Sequence, residues 1–169
     1  MGLMVDMENR TYRYFKGTPL YPFGFGLSYT NFQYKKLKTG PLSKNSKNNK
    51  NNKNNKNDKN SKNDLKITIQ VKNTGKKAGD EVVQLYVSHK NAPFKTPIRA
   101  LKGFQRIALN TGESRILTFN LSEKDLSVID VDGKSSVFQG DIEISVGGSQ
   151  PSEAAVLEKK VVQKVVKIK

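Results

Sequence analysis

Few side chains in this chain could do chemistry, and they are scattered. Hydrolysis by a general acid and base needs two facing carboxylates, and a catalytic triad needs a base beside its nucleophile. Asp80 and Glu81 open a predicted strand and are interpreted as solvated surface. With no cysteine and a single histidine, His89, the chain can supply neither a thiolate zinc site nor a multi-histidine metal site. The sequence therefore predicts no catalytic residue, no metal site and no cofactor.

The nearest approach to a metal-binding motif is Asp130-Val131-Asp132-Gly133, because a calcium-binding loop also begins with acids at alternate positions. The later ligands of such a loop, including its bidentate glutamate, are missing here. We therefore predict a hairpin turn at this point. His89 follows a predicted strand and is interpreted as an exposed loop side chain without a functional role.

Much of the positive charge is concentrated in one segment. The 169 residues carry 30 Lys and Arg against 15 Asp and Glu, a formal net charge of +15. Residues 42–64 are almost wholly Asn, Lys, Ser and Asp, with lysine at every third position from Lys44 to Lys62. Without apolar side chains, burial cannot offset the entropy of ordering this segment, so we predict a disordered insertion between two strands.

A polybasic arm that binds phosphates or anionic surfaces is the alternative for residues 42–64. A basic chain invites a nucleic-acid interpretation. However, no aromatic or arginine side chains interleave with the lysines to stack on bases. Nucleic acid is therefore not the favoured partner. The N-terminus also lacks the pattern of a secretory signal, and no apolar run approaches the roughly 18 residues of a membrane span.

Beyond the insertion, apolar residues recur at every second position, which is typical of half-buried strands. The alternating runs are 65–72, 83–88, 117–121 and 142–146, and further strands are expected at 31–38, 100–109 and 127–131. Turn residues separate them, for example Asn73-Thr74-Gly75 and Gly147-Gly148. About seven short strands at this spacing predict an all-β, immunoglobulin-like antiparallel β-sandwich. Ser122-Glu123-Lys124-Asp125 resembles a helix start and predicts one helical turn.

The two ends of the chain differ from this pattern. Residues 10–29 are rich in aromatics and broken by Gly and Pro, so they predict an irregular strap packed on its own domain or on a partner. Residues 154–169 fit a helix by the spacing of their apolar side chains and an edge strand by their Val-Val pairs, and both stay open. We divide the chain into a strap (1–30), a sandwich domain (31–150, with the insertion at 42–64) and a basic C-terminal tail (151–169).

Residues 19–30, Pro-Leu-Tyr-Pro-Phe-Gly-Phe-Gly-Leu-Ser-Tyr-Thr, resemble the signature that precedes the C-terminal fibronectin type III-like domain of family 3 glycoside hydrolases. These are the β-glucosidases, β-xylosidases and their relatives. The resemblance continues in the same order through 71–87, Leu101-Lys102-Gly103-Phe104 and Gly112-Glu113-Ser114, and it ends near 146–148. The segment 10–15 is more similar to β-xylosidase-type and broad β-glucosidase members.

The resemblance implies a division of labour. In that family the catalytic carboxylates lie in a barrel and an α/β sandwich, and the fibronectin-like domain is an accessory beside them. No motif for either carboxylate is present to carry over, so we expect this chain to be inactive alone. It would be a truncated or split gene product, or one half of a complex. The family is often periplasmic, extracellular or vacuolar, and the chain shows no export signal of its own.

We expect four aromatic side chains of the strap to anchor it on glycosidase domains, in the same chain or in another. They are Tyr21, Phe23, Phe25 and Tyr29. The alternative is that these side chains close the open end of their own sandwich. Two other functions remain open from the sequence: a carbohydrate-binding module that acts alone, with polysaccharide as its ligand, and a polybasic binder of anionic surfaces.

Overall fold

A computed structural model describes residues 11–17, 19–21, 26, 28–41, 64–92, 96–129 and 133–168. The described part of the chain contains nine strands and three short helices. The strands are β1 (Phe32–Pro41), β2 (Leu65–Asn73), β3 (Gly79–His89), β4 (Ala100–Leu109), β5 (Ser114–Leu121), β6 (Ser127–Ile129), β7 (Ser135–Val137), β8 (Gly140–Gly147) and β9 (Val161–Ile168). The helices are α1 (Thr11–Tyr14), α2 (Glu123–Leu126) and α3 (Glu153–Leu157).

Seven of these strands form two antiparallel sheets, which confirms the predicted all-β sandwich. One sheet has the order β1-β2-β5, and the other has the order β4-β3-β8-β9. The short strands β6 and β7 pair separately. One apolar core lies between the sheets, and it is built from the alternate residues that the sequence marked as inward-facing. Among the most deeply buried are Ile67, Ile69, Val83, Leu85, Ile142 and Ile144.

The sandwich has two ends that matter for function. At one end, which we call the strap end, β1 begins where Phe32 pairs with Asn73. At the other, the insertion end, Pro41 pairs with Leu65, so the lysine-rich segment joins two paired residues. The length of β2 separates the two ends by about 26 Å at ~3.3 Å per residue.

Strand β3 is longer than the sequence indicated, and this corrects the interpretation of His89. Because His89 pairs with Ile142 of β8, it is the last residue of the strand and not part of a loop. Its ring is partly buried and meets Phe138 edge-on with the centroids 5.2 Å apart. Burial lowers the pKa of His89. Of the predicted strand 127–131, β6 covers 127–129, and residues 130–132 lie outside the described part.

The C-terminal segment contains both of the structures that the sequence left open. Ser152 caps α3 by accepting a hydrogen bond from the amide of Ala155 at 3.1 Å. Strand β9 follows and pairs with the free edge of β8, with Val161 and Ile168 buried. Residues 161–168 are thus part of the four-stranded sheet. The helical turn expected at residues 122–125 is α2, where Asp125 accepts from the backbone amide of Ser122 at 2.9 Å.

Candidate interaction site

Strap residue Thr30 is seated on the sandwich at the strap end. Its hydroxyl donates to the side-chain oxygen of Asn73 at 3.0 Å. The next carbonyl, that of Asn31, accepts from the amides of Thr74 at 2.8 Å and Gly75 at 3.2 Å. On the other side of Tyr29, the Ser28 hydroxyl donates to the carbonyl of Asp80. The backbone is therefore held immediately before and after Tyr29.

Asn73 is the centre of this attachment. Its side chain is fully buried and uses both of its polar atoms. The amide nitrogen donates to the carbonyl oxygens of Lys77 at 2.8 Å and Leu109 at 3.1 Å. The amide oxygen accepts from the Gly75 amide at 3.0 Å as well as from Thr30. Asn73 thus ties together the β2–β3 loop, the end of β4 and the strap.

Two glycines make room for Thr30. A Cβ at Gly75 would lie 2.0 Å from the Thr30 hydroxyl and 2.9 Å from the backbone nitrogen of Asn31. A Cβ at Gly79 would lie 2.8 Å from the Thr30 methyl group. Both positions therefore require glycine for close approach of the strap. We call Asn73, Gly75 and Gly79 the strap seat.

Two of the expected anchors are described, and both are largely exposed. Tyr29 is 99% exposed and Tyr21 is 73% exposed. Tyr29 therefore adds nothing to the core of its own sandwich, whereas Tyr14 and Phe15, earlier in the strap, are partly buried. Phe23 and Phe25, the other expected anchors, lie outside the described residues. The N-terminal segment has a second attachment, because the Ile98 amide donates to the carbonyl of Arg13 at 2.7 Å.

Next to the strap seat lies a buried acid that the sequence analysis placed wrongly. Glu81 was expected on the solvated surface, but it is only 7% exposed. One of its oxygens accepts from the Val82 amide at 2.9 Å. Burial raises the pKa of the Glu81 carboxyl, and the Val82 hydrogen bond opposes that rise. Because Glu81 alternates with Val83 and Leu85 along β3, it faces the interior like them.

The buried hydroxyl of Tyr34 and the carboxyl of Glu81 both lie close to Gly148. A Cβ at Gly148 would lie 2.8 Å from the Glu81 oxygen and 2.9 Å from the Tyr34 hydroxyl, so glycine is needed there. That hydroxyl meets no acceptor with full hydrogen-bond geometry among the described residues, but it lies close enough to Glu81 for the two groups to interact. Burial raises the pKa of Tyr34, and the neighbouring Glu81 carboxylate raises it further, so the phenol stays protonated. A single carboxyl beside a phenol does not provide the paired carboxylates of a hydrolase.

The other acids near the strap end are engaged in ion pairs. Asp80 accepts from Arg106 of β4, with a distance of 2.9 Å to Nε. Glu113 pairs with Arg115 at 3.0 Å. Within the described ranges, no group of three His, Cys, Asp or Glu side chains could hold a metal ion. Asp130 and Asp132 of the expected turn lie outside those ranges. No helix in the described part of the chain is long and apolar enough to cross a membrane.

Comparison with known proteins decides the family. A fibronectin type III-like domain model matches residues 81–150. A β-xylosidase of Formosa agariphila is 38% identical over 84% of this chain and 18% of its own length. Thermostable β-glucosidase B of Acetivibrio thermocellus is 36% identical over 94% of this chain and 19% of its own length. The crystal structure of a GH3 β-glucosidase from Bifidobacterium adolescentis superposes with a TM-score of 0.66 at 27% identity, over 88% of this chain and 18% of that one.

The chain belongs to the fibronectin type III-like domains of glycoside hydrolase family 3. It spans about a fifth of the length of the relatives that it matches. The resemblance noted from residues 19–30 and 71–87 is thereby confirmed. Sequence reasoning marked Asn73-Thr74-Gly75 only as a turn and missed that it is the seat of the strap. The signal was present, since this triplet lies within the resembling stretch, but Thr30 stands 43 residues away from it.

Proposed function

We propose that this fibronectin type III-like domain is a non-catalytic accessory that docks on the catalytic domains of a family 3 glycoside hydrolase through its strap. The relatives are named as a β-xylosidase and a β-glucosidase, so the parent activity is hydrolysis of the O-glycosyl bond of β-xylosides or β-glucosides. We place that chemistry in the parts of the parent enzyme that this chain does not span. In this proposal the chain itself contributes the surface that docks on the catalytic domains.

The observation that carries the proposal is the exposure of Tyr29 between two fixed neighbours. Ser28 and Thr30 are both hydrogen-bonded to the sandwich, yet the ring between them is 99% exposed. A large aromatic held in water by an ordered backbone gains nothing for its own domain. Tyrosine is one of the residue types that concentrate binding energy at protein interfaces. Tyr29 therefore has the placement of an interface anchor.

The two acids at the start of β3 are engaged within the domain. Glu81 is buried, and Asp80 is paired with Arg106. Purified chain should therefore not hydrolyse an aryl β-glucoside or an aryl β-xyloside. Turnover that copurifies with the chain and disappears when it is removed by antibody would refute the non-catalytic assignment.

A chimera tests docking in a complete enzyme. The span of the Formosa agariphila β-xylosidase that matches this chain is replaced by the chain, and the temperature of irreversible inactivation is measured. We expect the chimera to survive to a higher temperature than the β-xylosidase without that span. Tyr29→Ala should lower this temperature, while Ile129→Ala, which removes an exposed side chain from β6, should leave it unchanged. Equal effects of the two substitutions would exclude Tyr29 as an anchor.

A further inference from the structure

A further exposed aromatic side chain, that of Phe104, lies on the edge strand β4. Its side chain is 68% exposed. Phe104 is the last residue of the segment Leu101-Lys102-Gly103-Phe104, and it takes no part in the core. Its neighbours are turned the other way. A Cβ at Gly103 would be 3.4 Å from the ring of Phe119, and the Gln105 side chain donates to the Thr118 carbonyl at 2.7 Å. Because side chains alternate along a strand, Phe104 stands on the outer face of the four-stranded sheet.

Only the β4 side of this face is open, because Gln84 and Tyr86 of β3, which lie on the same face, are fully buried by the protein's own residues. The open side adjoins the strap. Arg106 lies two residues beyond Phe104 on the same face, about 7 Å away. Its guanidinium donates to the Asp80 carboxylate, and the Asp80 carbonyl accepts from Ser28, the residue before Tyr29. Phe104 and Tyr29 therefore flank one Arg–Asp pair. All of these groups reach solvent in the isolated domain.

The isolated domain derives little from this arrangement. The side chains of Arg106 and Asp80 are 74% and 43% exposed, and an ion pair in water contributes little to stability. The same residue types contribute more to binding affinity when a partner covers them. Aromatic residues and arginine are enriched at the buried centres of protein interfaces, where a charged pair already matched within one partner needs no new counter-charge.

We propose that the catalytic part of a family 3 glycoside hydrolase rests on the open β4 side of this outer face, with Phe104 as its anchor beside the Arg106–Asp80 pair and Tyr29. The inference rests on the proposed function and extends it from the strap to the sheet. Two observations indicate which partner would cover this surface. The relatives carry about four-fifths of their length outside the span of this chain, and the face adjoins the strap that leads toward the N-terminus.

The test is a calorimetric titration of the full chain into the Formosa agariphila β-xylosidase from which the matching span has been removed. We expect Phe104→Ala to weaken the affinity at least tenfold. The matched control is Ile116→Ala, because Ile116 is 70% exposed on β5 of the other sheet, and it should change the affinity less than twofold. The melting temperature of each free variant checks the fold. If Phe104→Ala perturbs it, Phe104→Lys gives the same test without loss of size.

The outcomes separate the two proposals. If the wild-type chain binds and the Phe104 and Ile116 variants bind equally well, the sheet face is not the contact and docking through the strap survives. If the wild-type chain does not bind and does not stabilise the chimera, the proposed function fails and this inference with it. Sedimentation of the chain alone tests the other occupant. A dimer that Phe104→Ala dissolves would assign the face to a second copy and overturn the inference.

Discussion

At the scale of single residues, the side chain of Asn73 connects the strap, the β2–β3 loop and the end of β4. Replacing it with alanine removes four hydrogen bonds at once and leaves the carbonyls of Lys77 and Leu109 without this donor. We expect Asn73→Ala to lower the free energy of unfolding by about 2–4 kcal/mol. The exposed Asn120→Ala on β5 should change it by less than about 0.5 kcal/mol. Urea denaturation compares the two, and similar values would contradict the role given to Asn73.

The buried carboxyl of Glu81 should make the free energy of unfolding depend on pH. Because burial raises its pKa in the folded state, the folded protein binds more protons than the unfolded chain between the ordinary and the raised pKa. The contribution of Glu81 to the free energy of unfolding is therefore greatest at low pH and is lost as the pH rises through that interval.

Glu81→Gln keeps an oxygen that can accept from Val82 and removes the titration. Its free energy of unfolding, measured relative to wild type at each pH, should rise as the pH increases above the ordinary pKa of a glutamate. The comparison at equal pH cancels the opposite effect of His89, whose lowered pKa disfavours the folded state in acid. The exposed Glu158→Gln is the control. A difference between Glu81→Gln and wild type that does not change with pH would disprove the burial argument.

At the scale of elements, the insertion joins two strand ends that the sheet already holds together. Pro41 pairs with Leu65, and the Asp64 carboxylate accepts from the Glu123 amide of α2 at 2.9 Å. Because loop-closure entropy changes only by about 0.6 kcal/mol per doubling of length, the fold tolerates a long connection here.

Replacing residues 42–63 with Gly-Asn-Gly while keeping Asp64 should therefore preserve the fold and raise the free energy of unfolding by on the order of 1–2 kcal/mol. Denaturant melts and circular dichroism of the shortened chain measure both. The same replacement combined with Asp64→Ala should forfeit part of the gain, because α2 loses its acceptor. A shortened chain that fails to fold would show that the insertion has a structural role.

The elements also show which parts of this structure a sequence can predict. Period-two alternation predicted β2, β3, β5 and β8 because each has one face on the core. The same alternation should have placed Glu81 inside with Val83 and Leu85, but an adjacent acid pair suggested a surface. The conformation of the last segment could not be decided, because β9 is an edge strand whose existence depends on the free edge of β8.

Contacts between distant parts of the chain could not be predicted from the sequence, and the reason is physical. The seat of Thr30 is formed by residues more than 40 positions away, and no periodicity reports such a pair. The exposed face around Phe104 was missed in the same way, because alternation marks inward positions and says nothing about which outward positions meet a partner. Tyr29 stays a prediction as an anchor, and the fold adds to it the exposure of its side chain and the hydrogen bonds of its two neighbours.

At the scale of the whole molecule, the strap end, where we propose docking, and the insertion end lie at opposite ends of β2. The strap seat, Tyr29 and the start of β3 lie at the strap end, and the insertion leaves the sandwich about 26 Å away, at the other end of β2. A partner at the strap end and its adjoining sheet face would therefore leave the insertion end uncovered. This arrangement explains how a strongly basic insertion is compatible with an accessory domain.

The most direct test of the account is the affinity of this chain for a family 3 catalytic part when the strap is displaced. Gly75→Ala puts a methyl group against Thr30 and Asn31, whereas Gly40→Ala on β1 meets no atom within 4 Å. Both are titrated calorimetrically into the Formosa agariphila β-xylosidase lacking the matching span. We predict that Gly40→Ala binds like wild type and that Gly75→Ala binds at least tenfold more weakly while remaining folded. Equal binding by the two variants, or no binding by the wild-type chain, would contradict the account.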